Sequence, residues 1–177
     1  MAIYYGDGSN SSNGRIVAVH TKIKTNTQSF SANTGTFHNI SGMLMQLTPK
    51  SSTSLFLIHI STNYSTTTGQ RGTFRLLTQI GGGGYGYIAN SVADASSSVQ
   101  RGFVPSIATA DNDSRSVPVS MVLLHDPGTT SQIDYTLQVE AESSAGTIWL
   151  NRTQGNNSSS TYHAGITTMM VYEVAHA

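Results

Sequence analysis

Residues 125–140 read HDPGTTSQIDYTLQVE, and the last eight decide the fold class. Ile133, Tyr135, Leu137, Val139 and Ala141 fall on one face. Asp134, Thr136, Gln138, Glu140 and Glu142 fall on the other. This period of two is the pattern of a half-buried antiparallel strand, with the acidic face expected in solvent. The residues before it set the strand's start. Pro127 and Gly128 make a turn, and Asp126 is placed to accept backbone N–H groups there. A catalytic His–Asp pair meets through space rather than as sequence neighbours. His125–Asp126 therefore reads as a corner.

Working outward, short strand-like runs recur between clusters of Gly, Asn, Ser and Thr. Strands are expected near Ile16–Lys24, Met43–Leu47, Leu55–Tyr64, Thr73–Ile80, Val99–Thr109, Val117–Leu124, Ile133–Glu142, Thr147–Asn151 and Thr167–Val174, with a short one near Tyr85–Ala89. No helical periodicity stands beside them. This spacing predicts an all-β, two-sheet antiparallel jelly-roll sandwich.

Three strands do not alternate: LFLIHI (55–60), VSMVLL (119–124) and TTMMVYEV (167–174) are apolar on both faces. A sheet with two apolar faces needs a second cover, and no helix is on offer. A neighbouring copy of the chain is the expected cover, since large apolar patches mark interfaces. Phe56, Ile58, His59, Ile60, Met169, Met170, Val171 and Tyr172 are the core or interface candidates. His59 interrupts an apolar run. It is expected to be buried, hydrogen-bonded and inert, unless the strand lines a symmetry axis where copies of it meet and titrate together.

The composition narrows function by exclusion. The 177 residues suit one domain with a real core. Cysteine is absent, which removes disulfides, thiolate zinc sites and thiol nucleophiles. Charged residues are 10% of the chain, against roughly 25% in ordinary domains. Net charge is zero, and the Lys and Arg are dispersed, so no nucleic-acid footprint is expected. No run approaches the ~20 apolar residues of a membrane span. The first residues lack the n- and h-regions of a signal peptide, so synthesis in a cytoplasm is expected.

The chemical motifs are weak. GGGGYG (81–86) lacks the Lys-Ser/Thr and the following helix of a phosphate loop, and reads as a mobile loop. DND (111–113) is a polar turn, short of the oxygens calcium needs. The six histidines show neither helical i, i+4 spacing nor an H-x-H. There is no G-x-S-x-G elbow. Glu140 and Glu142 share a face, but one read as solvated. No enzyme, cofactor or metal is expected.

The N-terminus differs from the rest. MAIYY is apolar and aromatic, and GDGSNSSNG reads as a tether. Residues 1–14 are taken as an arm and 15–177 as the jelly roll, with Ile3, Tyr4 and Tyr5 as a docking peg; the alternative is that these three pack back on their own domain or fray.

The order of these parts resembles a known domain. In HDPGTTSQIDYTLQVEAESSAGTIWLNRTQ (125–154) an Asp-Pro turn precedes a Thr-rich loop, a Tyr-bearing strand and a Gly-Thr-x-x-x-Asn-Arg strand. AGITTMMVYEVA (164–175) closes on Glu-Val-Ala. HNISGMLMQLTPKSSTSLFLIHIST (38–62) and GTFRLL (72–77) match the companion strands, and YYGDGSNSSNGRIV (4–17) the start. This resembles a domain of tailed-phage virion proteins, marine cyanophages above all, found in fibre tips and small standalone structural proteins. The resemblance implies a tumour necrosis factor-like jelly roll forming homotrimers, and it assigns no catalytic residues. Unlike fibre proteins, the chain has no shaft repeats. The expectation is a virion protein, a trimer that decorates or cements the capsid, its arm docked on the major capsid protein or another virion protein. The alternative is a tail-fibre or baseplate appendage binding a host surface glycan through Tyr85, Tyr87, Asn112 and Asn156.

Overall fold

The computed structural model describes residues 14–31, 35–67, 71–88, 91–92, 102–108, 115–141, 146–153 and 164–176. Eleven strands occur in it: β1 (Ile16–Lys24), β2 (Gln28–Ser31), β3 (His38–Leu47), β4 (Leu55–Thr66), β5 (Arg71–Ile80), β6 (Gly86–Tyr87), β7 (Val104–Ala108), β8 (Val117–His125), β9 (Ile133–Ala141), β10 (Thr147–Leu150) and β11 (Thr167–Val174). There is no helix among the described residues, and hence none long and apolar enough to cross a membrane.

The strands form two antiparallel sheets. The first has six strands in the order β1-β11-β4-β10-β2, with β8 on the other side of β4. The second has five in the order β3-β9-β5-β6, with β7 also on β5. Successive strands switch repeatedly between sheets, so the two inner faces enclose one core. The all-β jelly-roll expectation holds.

The core comes from alternate residues, as pleating requires. Phe56, Ile58 and Ile60 of β4 are wholly buried, as are Met169 and Val171 of β11. Phe74 and Leu76 of β5 and Tyr135, Leu137 and Val139 of β9 face them from the second sheet. Truncating one of the buried aromatics here costs about 3–5 kcal/mol. Gly72 is needed for space: a Cβ there would lie 2.6 Å from the Tyr64 ring. Burial also holds the Tyr64 hydroxyl's pKa up at about 12, against a small opposing effect of its bond to the Gly72 carbonyl.

Most strand bounds agree with the sequence pattern, and the departures have local reasons. β2 is missed because QSFS has a single apolar residue, Phe30, which is buried beside His38. β3 starts before Met43 and carries a register shift between Asn39 and Leu44 around Gly42, whose φ is +80°. That bulge breaks the alternation. Pro118 sits within β8, which pairs with β4 alone, so its missing N–H leaves no bond unmade there. GGGGYG opens with a tight turn. Gly81 and Gly82 have φ of +58° and +77°, and the Gly83 N–H donates to the Ile80 carbonyl at 3.0 Å. Two consecutive positive φ values are what a hairpin turn demands, and glycine supplies them without strain.

The corner at 125–128 is also as read. Asp126 accepts the Gly128 N–H at 3.2 Å. His125 turns away from Asp126 and places Nδ1 2.7 Å from the Tyr135 hydroxyl, which links the two sheets. Asn151, in a glycosylation-type sequon, is wholly buried with φ +60°. Its Nδ2 donates to the carbonyls of Lys24 and Asn26, and its Oδ1 accepts from Thr167. It is a structural knot at the end of the first sheet.

Candidate functional site

The outer face of the first sheet is built from the residues out of phase with the core. Register lays them in rows across β8, β4, β11 and β1. One row is Leu124, Leu57, Tyr172 and Val19. The next is Val122, His59, Met170 and Thr21, and the third is Ser120, Ser61, Thr168 and Ile23. No Asp, Glu, Lys or Arg stands in these rows. Val122 is 62% exposed, Ile23 58%, Leu124 56%, Val19 53% and Leu57 38%. The Tyr172 hydroxyl has the Met170 sulfur as its partner, at 3.7 Å, so the ring lies along β11. A surface without Asp, Glu, Lys or Arg that exposes this many aliphatic side chains is uncommon on a monomer.

The sequence-named candidates divide here. Phe56, Ile58, Ile60, Met169 and Val171 belong to the core, while His59, Met170 and Tyr172 belong to the outer face. His59 is exposed, so the expectation of a buried, inert histidine is corrected: β4 turns its odd residues outward. Val19, Ile23, Leu57, Val122 and Leu124 were not named. Their signal was present in the doubly apolar runs, but only the register says which half of each run is left outside.

The outer face of the second sheet is different. Asp134, Thr136 and Glu140 were expected in solvent, yet they are 8%, 6% and 2% exposed. The correction comes from position: β9 lies between β3 and β5, whose long polar side chains roof it. Asp134 accepts from Gln46 at 3.0 Å and Gln132 at 2.9 Å, and Glu140 accepts the Gly35 N–H. A string of bonds crosses the strands beside them. Gln138 donates to Asn39 at 2.7 Å and accepts from Arg75 Nε at 2.6 Å, while Arg75 donates to the Tyr87 hydroxyl at 3.1 Å. The Arg75 guanidinium also lies 3.6 Å from the Phe37 ring centroid and 5.7 Å from that of Tyr87.

No protein-family model matches the chain, and no curated protein matches it in sequence. Its fold is similar to two virus structures. One is infectious bursal disease virus, Gx strain: 12% identity over 90% of this chain and 37% of that chain, TM-score 0.41. The other is the VP2 subviral particle of infectious bursal disease virus: 13% identity over 89% of this chain and 41% of that one, TM-score 0.38. The chain thus spans well under half the length of either.

Of the remaining candidates, Tyr85 and Tyr87 are 46% and 41% exposed beside the Gly-rich turn. Asn112, Asn156, Glu142, the DND stretch and the peg Ile3, Tyr4 and Tyr5 lie outside the described residues. Among the described residues, no group of three or more His, Asp or Glu is placed to hold a metal. His125 and Tyr135 form a buried pair without a neighbouring nucleophile in their hydrogen bonding. Burial lowers the His125 pKa, partly opposed by the Asp126 charge, and raises that of Tyr135.

Proposed function

We propose that the chain is a virion structural protein that self-associates through the outer face of its first sheet and acts by mass and geometry rather than chemistry. The observation that carries this is the uncharged apolar surface of Val19, Leu57, Val122, Leu124 and Tyr172. A charged partner would leave its ions unpaired against such a face, whereas a second copy sets apolar surface against apolar surface. The resemblance to tailed-phage virion domains supports the same reading and adds the expected number of copies, three. In that homotrimer each copy covers part of its neighbour's face.

The arm of residues 1–14 is assigned the docking role, with Ile3, Tyr4 and Tyr5 as the peg that enters the major capsid protein or another virion protein. Its point of departure is favourable. The Gly14 N–H donates to the Ala175 carbonyl and the Ala175 N–H to Arg15, so the arm leaves at the edge strand of the self-associating sheet. Three arms on one trimer would act together, since the first to dock raises the effective concentration of the others.

Native mass measurement tests the assembly: a trimer is expected, and a strictly monomeric species at micromolar concentration overturns it. Deleting residues 1–13 tests the arm. The trimer should persist and capsid occupancy should be lost; normal occupancy by the truncated protein ends the docking reading. An averaged map of the particle separates capsid decoration from a tail or baseplate position.

A further inference from the structure

The second sheet carries a feature that virion assembly leaves unused. Arg75 is a half-buried cation whose partners Gln138, Tyr87 and Phe37 are all neutral. The described carboxylates on the same face are engaged elsewhere: Asp134 by two glutamine amides and Glu140 by the Gly35 N–H. A guanidinium has five N–H donors, and the bonds to Gln138 and Tyr87 use two. Stacking on Phe37 and the amide string from Asn39 through Gln138 hold the fork in place, so little side-chain entropy is left to lose on binding.

The surroundings state the ligand's chemistry. The Tyr85 and Tyr87 rings are exposed at one side and the Asn39 side chain at the other. Tyrosine offers a flat amphipathic ring, the amides donate and accept, and the fork matches a carboxylate. We infer that Arg75, Phe37, Tyr87, Gln138 and Asn39 form a binding site for an acidic sugar, a pyranose bearing a carboxylate within a surface polysaccharide. The carboxylate meets Arg75, the ring face lies against Tyr87, and hydroxyls reach the amides. The site is on the opposite sheet from the self-association face, so it stands or falls separately from the assembly.

The test is a titration of the full chain, followed by amide shifts at Phe37, Gln138 and Tyr87. The probe is a tetrasaccharide of alternating glucuronate and N-acetylglucosamine. The matched control is the same tetrasaccharide with its carboxylates reduced to alcohols. Binding on the order of 1 mM is expected for the acidic form, with the reduced form about tenfold weaker or worse, as loss of a charge-assisted bond implies. Arg75→Gln should bring the acidic form down to the reduced form's level. Equal binding of the two tetrasaccharides overturns the site, as does no response at these amides. Sodium acetate binding as tightly per carboxylate as the acidic sugar also overturns it, leaving an anion site without sugar recognition. If Arg75→Gln proves unstable, the comparison of the two tetrasaccharides on the unaltered chain still decides.

Discussion

Across the second sheet, Asp134 is held by Gln46 and Gln132, and Gln138 by Asn39 and Arg75. Across the first, Val122 and Leu124 stand 62% and 56% exposed, with only His59, Thr21 and small hydroxyls between the aliphatic side chains. Both are outer faces of one sandwich, on strands of similar length. One closes on itself through polar side chains, and the other leaves its aliphatic side chains exposed. The contrast shows that an outer face need not be hydrated to be complete. It also shows that the rows of the first sheet's outer face hold no acid or base, while those of the second hold Asp134, Glu140 and Arg75.

The sharpest way to break the comparison is a charge on the first sheet. Val122→Lys should disperse the assembly to monomers, because like charges and an unpaired ion at an apolar interface cost several kcal/mol. Leu44→Lys, 41% exposed on the second sheet, should leave the assembly intact. Sedimentation velocity of the two variants checks both, and equal behaviour removes the distinction between the faces.

A smaller effect is expected from the reverse experiment. Asp134→Ala deprives the Gln46 and Gln132 amides of their acceptor, and should lower unfolding free energy by about 1–3 kcal/mol in urea. His59→Ala, measured on the dispersed monomer, should change it by less than about 0.5 kcal/mol, as expected of an exposed position.

The link between the sheets predicts a pH effect. His125 has a pKa below its ordinary value of 6.5 because it is buried. The unfolded chain therefore binds the proton more readily, and stability falls as pH drops below about 6.5. The loss continues until the folded-state pKa is passed. His125→Gln should flatten that limb of the melting-temperature profile, and an unchanged limb would assign it to another group.

The smallest expected effect is that of salt. Between 0.1 and 1 M sodium chloride, self-association should hold steady, since the face has no ions to screen. Binding of the glucuronate tetrasaccharide at Arg75 should weaken over the same range. A salt-sensitive assembly would point to an interface other than the first sheet.

Much of the fold was legible because period-two patterns depend only on neighbouring residues. IDYTLQVE gave β9 with its core face correct, and LFLIHI gave β4. The short β2 was not legible, because Phe30 alone makes no period. The candidate site was half legible. Apolar residues on both sides of β4, β8 and β11 implied a missing cover, but His59 read as buried and Asp134 and Glu140 as solvated.

The sequence by itself determined the class of the molecule: strands without helices, a nearly uncharged surface, no cysteine chemistry and an excess of apolar side chains over what one core can bury. Only the tertiary structure decided which residues of that excess are outside. It set β9 between β3 and β5, where its acids are covered by neighbours. It lined up Leu57, Val122, Leu124 and Val19 from three strands far apart in the chain. It also drew Arg75, Gln138 and Asn39 into one row, with the Tyr87 hydroxyl bonded to Arg75 from the next strand. The physical reason is that alternation fixes a residue's side of its own strand, while exposure depends on which strands flank it.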